Sequence, residues 1–290
     1  MKVPGKESLN SSEIRTAIKT LLHIVYTNVI VAISAGLLSA GYCYMNGIEN
    51  WYFYGLFALF STFSVYNGQR LIKSAQPTQT PWLMWVQRNE KSLYLATFAS
   101  GLLVISSLLL IGKISLGSVI LLLISGVISL FYVIPVKGVI MREIPYIKVY
   151  LIAFTWAVVL ILFPMINEGK FDYSVLMHGI ALTLYIIAAA IPFDIRDISF
   201  DRSSQKTIPQ VMGVFWSKWM SYILLLAFIA LMLFFEPRLL FSWTFYLAVA
   251  VQFLLVVFMN EERGDIYCAG AIDGAIGLIG LSYFFHELSW

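Results

Sequence analysis

Charge is scarce in this chain. Of 290 residues, 12% are Asp, Glu, Lys or Arg and 60% are hydrophobic, which is too little polar surface to cover a water-soluble globule of this size. Lipid is therefore the expected solvent. Cysteine is scarcer still, with only Cys43 and Cys268. Two thiols cannot build a zinc centre, and the topology read below puts them near opposite faces, too far apart for a disulfide. Also missing is the strict alternation of apolar and polar residues that a transmembrane barrel needs, which leaves helices as the lipid-stable option. Acid is absent from positions 50 to 89. The first apolar run has no convincing cleavage site and is longer than a signal-peptide core, so it is expected to stay in the chain as a helix.

What is present is length without charge. Nine apolar stretches of about spanning length occur, roughly 21–45, 52–72, 93–112, 114–134, 149–166, 174–193, 216–235, 239–259 and 267–286. They predict an all-α, polytopic membrane protein of nine transmembrane helices forming one domain over 1–290. Lysine and arginine fall almost entirely on alternate connections, leaving Lys113, Lys170 and Arg238 for the other face. That bias predicts a cytoplasmic N-terminal segment, 1–20, and a C-terminus on the opposite side. The longer inner connections, about 73–92, 135–148 and 194–215, carry Pro, Asn, Gln, Asp and basic residues, so the chemistry is expected at the cytoplasmic end. The second and sixth spans both end there in polar clusters.

The sixth span ends in "AAAIPFDIRDISFDR", residues 188–202. If its helix continues, Asp194, Asp197 and Asp201 share one face, a stripe about 10 Å long at the helical rise of ~1.5 Å per residue. Three like charges beside lipid repel unless a cation neutralises them, and hard oxygen ligands at this spacing suit Mg2+ holding a diphosphate. The competing reading is an interfacial loop whose Asp and Arg residues pair locally.

With "KTIPQVMG" (206–213) behind it, "DIRDISFDR" resembles the second aspartate-rich motif of the UbiA superfamily of intramembrane prenyltransferases, Asp197 and Asp201 standing at its two aspartates and Asp194 upstream. "YVIPVKGVIMREIPYIK" (132–148) is similar to the family's connection after helix four, and Asn67 to the asparagine that opens its first motif. The resemblance implies a nine-helix bundle with a cytoplasm-facing polar cavity between the second and sixth spans. It implies transfer of an isoprenyl group from a prenyl diphosphate to a lipophilic acceptor, an alkyl transfer other than methyl. Mg2+ would be held by Asp194, Asp197 and Asp201, with Asp197 and Asp201 essential to turnover.

The chain departs from that pattern at the first motif, where Asn67, Leu71 and Ala75 stand and both carboxylates are gone. Arg70, a turn beyond Asn67, can bind phosphate oxygens bidentately in place of one metal, or can pair with Asp197 or Asp201 in a site without metal. Lys73, Lys137, Arg142, Lys148, Arg202 and Lys206 are candidates to line a diphosphate's entrance, and equally positive-inside anchors. Tyr132 is a candidate to position the leaving group. Tyr66, Trp156, Tyr185 and Phe193 are candidates to face a carbocation. Asp273, about two turns inside the ninth span, is expected to face a wet cavity or a neighbouring helix and is a candidate acceptor-binding group. Alternatives remain a non-catalytic prenyl-lipid binding protein, a UbiA-type terpene cyclase and, against the one-sided clustering of charge, a transporter. No nucleic-acid partner is expected, and no oligomeric state is indicated.

Overall fold

The structure is a computed structural model that describes residues 11–74, 80–135, 138–199, 201 and 205–285. Helix follows helix: α1 (Ser11–Tyr26), α2 (Val29–Met45), α3 (Trp51–Ser74), α4 (Pro81–Arg88), α5 (Glu90–Ile111), α6 (Leu116–Phe131), α7 (Lys148–Ala157), α8 (Phe163–Asn167), α9 (Tyr173–Arg196), α10 (Ile208–Phe235), α11 (Trp243–Val257) and α12 (Asp273–Phe284). A π-helical turn, Val158–Leu162, fuses α7 to α8 just ahead of Pro164, and another, Ile266–Ile272, leads into α12. Each apolar stretch read from the sequence is largely helical over its described residues. Five of these helices are long and apolar enough to cross a membrane: Glu90–Ile111, Lys148–Asn167, Tyr173–Arg196, Ile208–Phe235 and Ile266–Phe284. The bent α1–α2 pair makes a sixth if it is one span. Leu109 is 76% exposed, Leu116 75% and Phe234 77%, which water would not tolerate over so many large side chains. The molecule is an integral membrane protein.

Small residues set the centre of the bundle. α2 lies between α12 and α3, and a Cβ added at Gly280 would sit 2.3 Å from the Leu38 nitrogen, while one at Gly41 would sit 2.1 Å from the Gly280 oxygen. These two glycines let backbones touch where lipid offers no hydrophobic drive between helices. At Asn28 the chain takes a left-handed turn (φ 56°, ψ 19°), and the α1–α2 pair bends there by 55°.

α9 is built to deliver its polar end. Asp172 caps its start, accepting the Val175 N–H at 2.9 Å, and that bond first, with the Ser174 hydroxyl second, holds the carboxyl below the usual carboxylate range. Pro192 removes one helical donor near the other end, and the carbonyl it leaves, that of Ala188, accepts the Ser221 hydroxyl of α10 at 3.2 Å. The helix thus runs through its proline to Arg196, tied to its neighbour.

Candidate functional site

The aspartates do not continue as a helical stripe. α9 stops at Arg196, and Asp197 closes it with φ −86° and ψ 4°. One further turn, Asp201 N–H to the Asp197 carbonyl at 2.8 Å, then brings Asp201 back beside Asp194. Between those two stands Lys148, at the start of α7, its Nζ 2.7 Å from Asp194 Oδ1 and 2.8 Å from Asp201 Oδ2. All three side chains are at most 15% exposed. Asp197 turns the other way, into a two-point bond with its neighbour Arg196 (2.8 and 3.1 Å), whose remaining nitrogen holds Asp265 at 2.9 Å.

The foot of α3 carries the opposite sign. Arg70 donates to the Tyr26 carbonyl at 2.6 Å, at the C-terminal end of α1, where a cation is favoured. Its guanidinium lies 5.2 Å from the centre of the Trp82 ring. Lys73 and Arg142 each stand 6.0 Å from the Tyr132 ring centre, and the buried Arg142 Nε has no hydrogen-bond partner. Among the described residues no ion pair joins Arg70, Lys73 or Arg142 to a carboxylate.

These cations face a cavity of ≈250 Å3 between α3, α7, α9 and α12. Its walls grade from Arg70, Lys73, Arg142 and Lys148 to Ile152, Ile186, Ala189 and Ile276. Tyr66 and Trp156, hydrogen-bonded at 3.2 Å, form a wall shared with an apolar groove of ≈280 Å3 lined by Phe57, Val104, Leu108 and Leu122. A wider opening of ≈520 Å3, with Trp82, Arg142, Asp197 and Arg263 among its walls, lies on the polar side. The arrangement suits an amphiphile with an anionic head and a long apolar tail.

Several sequence candidates converge there. Arg70, Lys73, Tyr132, Arg142, Asp194, Asp197 and Asp273 all line the central cavity, and Asp201 lines the wider opening. Asp273 is 8% exposed and makes no hydrogen bond or ion pair among the described residues. Asn67 does not reach in. Its amide donates to the Thr27 and Phe63 carbonyls and accepts from Asn28, because the left-handed turn at Asn28 leaves the Thr27 carbonyl without a helical partner. Arg70 does not pair with Asp197 or Asp201. Lys206 is exposed, its ammonium 5.9 Å over Tyr146. Lys137 and Arg202 lie outside the described residues. Trp82 and Asp265 are additions: no local pattern marks the tryptophan at the start of the short helix α4, and "EERGD" (261–265) reads from sequence as a solvated turn.

Among the described residues no group of three or more His, Cys, Asp or Glu side chains is arranged to hold a metal ion. Asp194 and Asp201 already share the Lys148 ammonium, Asp197 is bound by Arg196, and Asp194 Oδ2 is a buried carboxylate oxygen left without a partner. The donor set does not fit Mg2+, which requires near-octahedral oxygen ligands.

No protein-family model matches the sequence, and no curated protein does. Solved structures do. A structure reported for digeranylgeranylglyceryl phosphate synthase aligns with a TM-score of 0.57 at 17% identity, covering 94% of this chain and 99% of that one. A UbiA homologue from Archaeoglobus fulgidus, bound to GPP and Mg2+, gives 0.55 at 12% identity, covering 92% and 99%. An apo UbiA homologue from Aeropyrum pernix K1 gives 0.53 at 14%, covering 92% and 96%. The chain has the fold of these UbiA homologues over nearly its whole length.

Proposed function

We propose that this protein is a membrane-embedded prenyltransferase with nine spans, its N-terminus and the polar mouth of its cavity cytoplasmic. A single observation carries the reading: three cations without carboxylate partners line a cavity that also has an apolar wall of Ile152, Ile186, Ala189 and Ile276, inside the fold shared with a homologue bound to GPP. In the reaction the allylic C–O bond of a prenyl diphosphate breaks and its electron pair leaves with the diphosphate. A lipophilic acceptor then forms the new bond to carbon and gives up a proton. Arg70, Lys73 and Arg142 bind the diphosphate and meet the charge that grows on its leaving oxygen. Tyr132 sits between two of these cations and fixes them, while Tyr66 and Trp156 present ring faces to the developing carbocation. The apolar walls exclude water that would quench it. No step is assigned to Mg2+.

The test is reconstitution in liposomes with a radiolabelled prenyl diphosphate and a lipid extract as acceptor, following labelled product and released pyrophosphate. Turnover that falls in Arg142→Gln supports the assignment. Pairing of all three second-motif aspartates with cations favours a second reading, a prenyl-lipid binding protein without turnover, which predicts binding with no pyrophosphate release.

A further inference from the structure

We infer that the cavity takes its anionic group without a divalent metal, Lys148 standing where a metal would bridge the carboxylates and Arg70, Lys73 and Arg142 meeting phosphoryl oxygens directly. The identity of the tail rests on the prenyl-diphosphate reading above; the anion site stands on the disposition of charge alone.

That disposition is uneven. On the acidic side, Asp194 and Asp201 share one ammonium at 2.7 and 2.8 Å, and Asp197 and Asp265 share the Arg196 guanidinium at 2.8 and 2.9 Å. Asp273 is the one carboxylate on the cavity wall without a bonded partner among the described residues. On the basic side three cations have none. Arg70, Lys73 and Arg142 are each part-buried; a cation drawn out of water without a counterion is costly, and three around one cavity point to a counterion that arrives as ligand. Guanidinium forks match phosphate oxygens geometrically and need no metal to do so. The loss of both first-motif carboxylates belongs to the same arrangement. The foot of α3 offers Arg70 and Lys73 and no acid, so a metal held there would meet repulsion instead of ligands. Lys148 supplies the other half, because two buried carboxylates that already share an ammonium at contact distance have little to gain from a dication.

The protein in lipid nanodiscs is titrated with inorganic pyrophosphate by calorimetry, first in EDTA and then in excess Mg2+, for wild type, Lys73→Met and Arg142→Gln. Full binding of the wild type in EDTA is expected, with no gain in affinity from Mg2+. Each variant should bind about tenfold or more weakly, the loss of one charge-assisted contact. Lys73→Met should also melt at a higher temperature than wild type, since it removes a part-buried charge that has no bonded counterion, an effect a merely structural lysine would not produce. Pyrophosphate binding that appears only with Mg2+ overturns the inference, as does Lys73→Met binding normally while melting lower. Repeating the EDTA titration with geranyl diphosphate separates the two readings: binding of pyrophosphate alone would leave the metal-free anion site standing and reject the prenyl substrate.

Discussion

The feet of α3 and α9 approach the same cavity from opposite walls and treat charge in opposite ways. α9 and its following turn are rich in acid, yet each of those aspartates is matched to a cation of the chain: Asp194 and Asp201 to Lys148, Asp197 to Arg196. α3 has no acid and presents Arg70 and Lys73 with only a backbone carbonyl and aromatic rings for company. The far end of the bundle shows what a purely structural arrangement looks like. There Glu168 accepts from Tyr54, Lys170 donates to the Asn46 and Gly47 carbonyls at 2.8 Å, and Arg238 grips Glu236. Acid-rich is therefore not the same as ligand-ready. The side that looks catalytic by composition has its aspartates bonded to the chain's own cations, and the side that looks depleted holds cations without carboxylate partners.

Breaking the ion-paired side should cost most. Lys148→Met leaves Asp194 and Asp201 buried and facing each other, and is expected to destabilise the fold by about 3–5 kcal/mol, read as a drop in melting temperature in detergent. Asn67→Ala tests the α3 side without touching its cations. It removes both donors to Thr27 and Phe63 and orphans the Asn28 amide, for a loss of about 2–3 kcal/mol by the same measurement, with pyrophosphate affinity per folded molecule little changed. Asp197→Asn should matter least. That side chain is 27% exposed, Arg196 keeps Asp265, and a loss under about 1 kcal/mol is expected. A larger loss from Asp197→Asn than from Lys148→Met would reverse the ranking on which the comparison rests.

Much of this was legible in the sequence. Periodic apolar runs fixed where the helices lie, and "FDIRDISFDR" pointed to the end of α9 that lines the cavity. Absence of acid between 50 and 89 foretold the cationic foot of α3. What remained hidden was pairing. Asp194 and Asp201 face one another only because α9 ends at Arg196 and a single extra turn swings Asp201 back, and Lys148 reaches them from a helix that starts some fifty positions earlier. An ammonium in that place looks, on paper, like one more interfacial anchor. Asn67 was misleading for a related reason: its partner is a carbonyl freed by the left-handed turn at Asn28, and a positive φ at a non-glycine residue leaves little trace in composition. Trp82 enters from the short helix α4 and Asp265 from the turn that follows α11, neither of them in an apolar stretch of spanning length.

The central claim is that the second-motif carboxylates already have their counterion, and manganese tests it most directly. Mn2+ is titrated into nanodisc-held protein, and the free six-line signal is followed by electron paramagnetic resonance. Wild type should leave that signal undiminished, whereas Lys148→Met, with Asp194 and Asp201 released, should remove about one equivalent and gain thermal stability on adding the ion. Stoichiometric uptake of Mn2+ by the wild type would contradict the account.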